Sequence, residues 1–595
     1  MSSLPTYREA TNPPEIALLV AEYLDNNSLL AATRVCRRWH RIMNALIWGS
    51  PINLICQRRR PFHNLHLFTM KIRATHESRT STTLFLVTTL DFRVLVALAQ
   101  HPVHHRQYHQ EEVLLTTAWA IKHTTYLPNL RFIFLDGLRT SHPLPSLNHE
   151  YHQSSHSSQL VLFSAFALRI NPFWITTQEA LHNIMFLDMS YTHRPSNFTQ
   201  LFSRVSFPNL RILKLRGLQL TDSMLPNIVL ETGLKLWSLD LRDNLLTGKA
   251  IELLTRNCFG PPVKIPINGR TNVHSKEGDI FAAPPAYERE VVVDHQGQVE
   301  RPPVGFRPDD EQTFRKYLEN ISDLDEKDDL LRATGLTHLY ISANKLSIAS
   351  LDLLLRYTNN LHLLNIGSIR VPSSTSSTYL GTASSPLPHF HIAGSVTQVL
   401  RVHHSAVTGI VTPLLSWSSR TYRLSQVREV ERTSRREDVF LTPRDNNRLR
   451  QLTLTDIPTK SYGPILHRLL NFLVFCEAQQ RELQKAALSA AHRRAPKPLP
   501  GLQVLRLEFV AEESGSNRGG VSASEDLDAD AFLQESSGDF SFFKDENVTK
   551  AENLQKNVKG KQPVQEVVYD VVEELRAFRK NSFLRWKGKL EIVGI

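Results

Sequence analysis

The chain has 595 residues, 41% hydrophobic and 21% charged, enough apolar side chain for sizeable cores, which excludes a wholly disordered polymer. Its 69 basic and 58 acidic residues give a net charge of +11, a modest excess that permits acidic partners without arguing for nucleic acid. Cys36, Cys56, Cys258 and Cys476 include no C-x-x-C pair, which leaves a zinc ribbon or disulfide scaffold unsupported and fits a reducing compartment.

The N-terminal stretch MSSLPTYREATNPPE lacks the apolar core of a signal peptide. The most apolar runs are short or broken: LFLVTTLDFRVLVALA carries Asp91 and Arg93, and Leu160–Leu168 falls well short of a bilayer span, which takes about 20 residues. The expected setting is therefore soluble, cytoplasmic or nuclear, without membrane contact.

Residues 13–49 form the first compact pattern. Pro13 and Pro14 open a helix on which Ile16, Leu19, Val20 and Tyr23 recur at helical spacing. Asp25-Asn26-Asn27-Ser28 supplies turn and N-cap chemistry before a second helix, Leu29 to Val35. A third apolar stripe runs through Trp39, Ile42, Met43, Leu46 and Ile47 and closes at Gly49. So small a unit is below the size at which one core is usually stable alone. These residues resemble an F-box: Pro14-Glu15-Ile16, Leu19, Leu24 and Leu29, then Val35-Cys36-Arg37-Arg38-Trp39. The usual Leu before the first Pro is Pro13 here, and the usual Asp before Leu29 is Ser28. The resemblance implies binding to a Skp-type adaptor, and through it a cullin, with Pro14, Ile16, Leu24, Leu29, Val35 and Trp39 as the adaptor-binding residues. Burying one such side chain is worth about 1.5–3 kcal/mol, so a few suffice to anchor an interface. Cys36 reads as a small packing residue.

Residues 51–126 carry apolar runs without a clean frame and are expected to form an α/β bridge or degenerate first repeats. The frame L-x-x-L-x-L-x-x-N then appears in full at Leu236-Leu239-Leu241-Asn244 and Leu336-Leu339-Ile341-Asn344. Partial copies start at Leu130, Ile184, Leu210, Leu361, Leu449 and Leu502, and the steps 184 to 210, 210 to 236 and 336 to 361 are 26, 26 and 25 residues. Such a period, strand then helix, is that of leucine-rich repeats. Apolar residues two apart share one strand face, and a buried Asn can bond backbone groups where the chain turns away. Leu138, Leu218, Ile369, Ile457 and Val510 replace that Asn in other copies, so the ladder of asparagines is broken.

The expected fold class is thus α/β: an N-terminal three-helix F-box-like module (1–50), then an irregular leucine-rich-repeat solenoid with disordered inserts. Repeats span 127–259 and 313–510, the latter with a Ser/Thr-rich loop at 371–388. Residues 260–312 are a Pro-rich insert and 511–562 an acidic, then Lys-rich one. In 563–595, Val567, Val568, Val571, Val572, Leu575 and Phe578 form a helical stripe, and KLEIVGI a closing strand.

Residues between the inward leucines point to the concave face and are the expected substrate contacts: Lys214, Arg216, Asp240, Arg242, His338, Tyr340, Arg506 and Glu508. Their mixed charges suit a polypeptide better than a phosphate backbone. Pro284-Pro285-Ala286-Tyr287 matches the P-P-x-Y form read by WW domains. His101, His104, His105 and His109 cluster without Cys or helical register and read as a solvated loop, not a metal site. Phosphate-loop, dinucleotide, zinc-protease and serine-hydrolase signatures are missing, so neither a catalytic residue nor a cofactor is expected. The expected function is substrate recognition within a Skp–cullin–F-box ubiquitin ligase. The alternative is a leucine-rich-repeat scaffold or interaction protein without a ubiquitin role.

Overall fold

The computed structural model describes residues 16–70 (apart from 22, 59, 62 and 69), 82–100, 127–137, 159–168, 182–192, 202, 207–259, 307–320, 335–346, 354, 361–368, 397–412, 421–433, 441–489, 499–513, 567–581 and 586–594. It opens with helices α1 (Ile16–Ala21), α2 (Asn26–Ala32), α3 (Arg37–Gly49) and α4 (Pro51–Cys56). Helix α2 begins and ends three residues earlier than the sequence pattern predicts. Asp25 is the cap that sets this register: its carboxylate accepts the Ser28 N–H at 2.9 Å, satisfying a donor that the first turn leaves unpaired. Helix α1 stops at Ala21, so Tyr23, expected on its stripe, lies beyond the helix.

The chain continues through β1 (Thr89–Asp91), α5 (Arg93–Gln100), β2 (Phe132–Phe134), β3 (Leu162–Ser164), β4 (Phe186–Asp188), β5 (Ile212–Lys214), α6 (Leu225–Thr232), β6 (Ser238–Asp240), α7 (Gly248–Asn257), α8 (Glu311–Asn320), β7 (His338–Tyr340), β8 (Leu363–Gly367) and β9 (Val399–His403). The last part holds α9 (Ser405–Thr408), β10 (Thr421–Tyr422), α10 (Leu424–Thr433), β11 (Gln451–Pro458), β12 (Lys460–Ser461), α11 (Pro464–Ser489), β13 (Val504–Glu512), β14 (Tyr569–Asp570), α12 (Val571–Asn581) and β15 (Lys589–Val593). Among the described residues thirteen strands make one sheet, running β1 to β9, then β11 and β13, with β10 and β15 both on β13. The mixed α/β class and a parallel sheet are therefore present.

One row of residues runs through the sheet in register: Leu90, Ile133, Phe163, Leu187, Leu213, Leu239, Leu339, Leu364, Leu400, Leu452, Leu505 and Leu590. Side chains alternate along a strand, so this row shares one face. There it meets Leu225, Ile228 and Val229 of α6, Ala250, Ile251 and Leu254 of α7, and Leu466, Leu469 and Phe472 of α11 in one continuous core. The residues on either side of each leucine point the other way.

The turns leaving β2 to β7 repeat one conformation. Gly137, Ala167, Tyr191, Gly217, Asp243 and Ala343, each three residues past its strand, have φ between 54° and 74°. In five of these turns the amide of that residue donates to the next turn: Gly137 to Phe166 O, Ala167 to Ser190 O, Tyr191 to Arg216 O, Gly217 to Arg242 O and Asp243 to Ser342 O, at 2.6–3.1 Å. The ladder thus outlasts the three-residue strands. Asn244 does what the repeat frame requires. Its amide group donates to Leu215 O and Leu241 O at 2.9 Å, and its carbonyl accepts the amides of Leu218 and Leu220 at 3.0 Å. Asn344 repeats the pattern on Leu241 O, Ile341 O and the Leu246 amide.

Three boundaries differ from expectation. Residues 307–312, assigned to the Pro-rich insert, are ordered against the sheet: the Trp237 indole N–H donates to Pro308 O at 2.9 Å, and Glu311 opens α8. Ala511 and Glu512, assigned to the second insert, continue β13 and pair with Thr421 and Tyr422. Val567 and Val568 are exposed ahead of β14, because Asp570 starts α12 by accepting the amides of Val572 and Glu573 at 2.9 Å. The loop 371–388 lies outside the described residues.

Asn244→Ala should leave the Leu218 and Leu220 amides and the Leu215 carbonyl buried without partners. The expected loss is about 2–4 kcal/mol, read by urea unfolding, with amide exchange accelerated first at Leu218 and Leu220.

Candidate functional site

The helices ahead of the sheet have a core of their own. Ala17, Ala21, Leu29, Ala32, Met43 and Ile47 are buried together, with Leu24, Leu30, Trp39, Ile42, Trp48 and Leu54 packed around them. Small residues on α1 and α2 let these short helices approach α3, whose longer side chains fill the middle. Among the expected adaptor contacts, Leu24, Leu29 and Trp39 serve this internal core. Val35 is 65% exposed, Ile16 sits in α1, and Pro14 lies outside the described residues. Tyr23 (87% exposed), Val20 and Leu46, which the sequence pattern placed on helical apolar stripes, are further apolar surface. Cys36 is exposed, not packed: its sulfur accepts the Trp39 N–H at 3.4 Å and caps α3.

Residues 13–52 match the F-box-like family. Domains of this family generally bind Skp-type adaptors. No curated protein matches the chain. The F-box-like module is joined to the sheet at two points. The Gly49 carbonyl, at the end of α3, accepts the Thr88 amide at 3.1 Å and its hydroxyl at 3.2 Å, one residue before β1. Helix α4 then carries Ile52 and Ile55 into the main core. Pro51 begins that helix, where its missing N–H costs nothing.

The face opposite the leucine row carries the eight expected substrate contacts, and the structure partners each of them internally. Arg242 pairs with Asp240, which is almost wholly buried, and stacks over Tyr340. The Tyr340 hydroxyl donates to Asp309. Arg216 binds Asp243 at 2.6 Å and stacks over Tyr191, while Lys214 lies over the Phe186 ring. At the far end Arg506 sits beside Glu508 and Glu591, and Glu508 holds Arg401 at 2.6 Å. Asp240 and His338 are buried within that face. Burial holds His338 below the usual histidine range and, with His338 and Arg307 adding to it, takes His362 down to about 4.

What covers β2 to β6 is α8. Phe314 packs with Phe132, Phe134, Leu162, Phe186, Ile212 and Trp237 in a second cluster, flanked by Tyr317 and Leu318. Arg93 grips Glu311 through two hydrogen bonds of 2.6 and 3.0 Å while holding Asp91. Sequence reasoning missed this helix. Its signals were Asp310, whose carboxylate caps the Thr313 amide at 2.8 Å, and the spacing Phe314, Tyr317, Leu318. The residues of the P-P-x-Y motif, Pro284, Pro285 and Tyr287, and the His101–His109 cluster lie outside the described residues. Among the described residues no helix is long and apolar enough to cross a membrane.

Asp136 follows β2 and accepts the Ser164 hydroxyl and the Phe166 amide. Burial outweighs those bonds and raises its carboxyl to about 6. A carboxyl raised in the folded state contributes stability below its unfolded value that is lost as pH rises through the folded one. Asp136→Asn, which keeps the accepting oxygen, should match the native chain at pH 4 and exceed it above pH 6.5 by about 1–3 kcal/mol. Urea unfolding at the two pH values reads the difference.

Proposed function

We propose that this protein is the substrate-recognition subunit of a Skp–cullin–F-box ubiquitin ligase, its module docking on a Skp-type adaptor and its sheet, built of leucine-rich repeats, presenting a protein substrate. The observation that carries the reading is the F-box-like match over residues 13–52. The module's self-contained core supports it, because Val20, Tyr23, Val35 and Leu46 are then left for a partner and not spent against the sheet. The repeat assignment draws on the steps of 25 and 26 residues, the leucine row and the paired roles of Asn244 and Asn344. The chain supplies no group to the transfer chemistry. It holds a substrate lysine and charged ubiquitin close and oriented, the kind of proximity that replaces a bimolecular encounter. Its setting is the cytoplasm or nucleus.

The test uses surface positions, since changing Leu29 or Trp39 would damage the module's own core. Val35→Glu with Tyr23→Ala should abolish co-purification of a Skp-type adaptor and cullin from cells while leaving thermal unfolding within about 2 °C of native. Native recovery of adaptor by the folded double variant would refute the docking assignment.

A further inference from the structure

Helix α8 has the contacts of a bound ligand more than those of a framework element. The strands on either side of its insertion, β6 and β7, pair directly through Leu239 and Leu339. The chain is also closed beneath it by the Phe259–Gly335 bridge, with Gly335 donating to Leu234 O and Leu336 to Cys258 O. Among the described side chains of α8 none joins the main core; Phe314, Tyr317 and Leu318 meet the separate aromatic cluster on the other face, and Glu311 meets Arg93. Residues 260–306 and 321–334 connect it to the repeats.

The face itself has the chemistry of a recognition groove. Trp237, only 1% exposed beneath the helix, meets Phe314 at 6.2 Å and Tyr317 at 6.5 Å between ring centroids, and Phe186 meets Phe314 at 5.8 Å. Without α8, Phe132, Phe134, Leu162, Phe186, Ile212 and Trp237 would form a contiguous apolar patch of the kind that marks interaction sites. Cations rim it: Arg93 takes Glu311, and Lys214 acts on Asp310. Backbone recognition comes from the Trp237 indole, which donates to Pro308 O.

We propose that this face is the docking site for an amphipathic helix of a client protein, and that α8 is its internal stand-in. The inference rests on the reading of the sheet as the substrate-presenting part. The client helix has acidic residues immediately before and within its first turn, facing Arg93 and Lys214. An aromatic residue follows, with aromatic or aliphatic partners three and four positions on, as in Asp310-Glu311-x-x-Phe314-x-x-Tyr317-Leu318. The internal helix acts at an effective concentration of about 1 mM. It therefore raises the threshold for clients and keeps the aromatic face covered until one with better contacts arrives.

The probe is a fluorescein-labelled peptide of residues 307–320, measured by anisotropy against two full-length proteins. One is native; in the other, residues 309–320 are replaced by a Gly-Ser stretch of equal length. Expected is saturable binding to the replaced chain at about 1–100 µM and at least tenfold weaker binding to the native one. A peptide with Phe314→Ala and Tyr317→Ala should bind neither. A replaced chain that unfolds cooperatively yet ignores the peptide overturns the proposal. So does loss of cooperative unfolding in both the replaced chain and the full-length Phe314→Ala, Leu318→Ala variant, which would make α8 part of the fold. Adaptor recovery, assayed on the same proteins, separates the two readings: peptide exchange with no adaptor sinks the ligase assignment and keeps the groove, and the reverse result does the opposite.

Discussion

Strands β2 to β6 depend on one repeated act, the handing of the hydrogen-bond ladder from a strand of three residues to the next strand and onward through its turn. Three residues alone give too few bonds to fix a strand. The left-handed residue that follows, from Gly137 through Asp243, adds an amide donor aimed at the neighbouring turn. Four of the six such positions are not glycine, and a side chain there costs roughly 1–2 kcal/mol. The stack tolerates that strain because each turn is held by its neighbours. Where an asparagine sits in the turn, at 244 and 344, one side chain satisfies groups from two successive units.

The leucine row was legible because its period is a property of residue type: an apolar residue at offset 3 of each frame became Leu213, Leu239, Leu339, Leu364, Leu452 or Leu505 in register. The turn conformation was not, since Ala167, Tyr191, Asp243 and Ala343 carry no glycine to announce it. In the module, apolar spacing located three helices, but could not tell which apolar side chains turn inward. That was decided by the cap at Asp25, which shifted α2, and by the early end of α1, which left Tyr23 outside. The helix over β2 to β6 was missed for another reason: it adjoins a Pro-rich stretch whose composition hid its own spacing.

Charge is handled locally on that face. Asp91 with Arg93 and Asp240 with Arg242 are the same arrangement two residues apart, an acid at a strand end neutralised by the arginine beginning the next segment. The acid also accepts the arginine's amide, at 3.1 Å in both cases. Each arginine also lies over a ring on the neighbouring strand, Arg93 over Phe134 and Arg242 over Tyr340. The pairs differ in that Arg93 additionally binds Glu311 of α8.

The join between Gly49 and Thr88 sets the heading of the module. A helix turns about 100° for each residue, and α3 ends in a carbonyl already claimed by the sheet's first edge. One residue added to α3 would swing Val35 and Tyr23 a quarter turn or more around the axis without unfolding either part. The compass bearing of the F-box-like module relative to the sheet is therefore written in the length of one thirteen-residue helix.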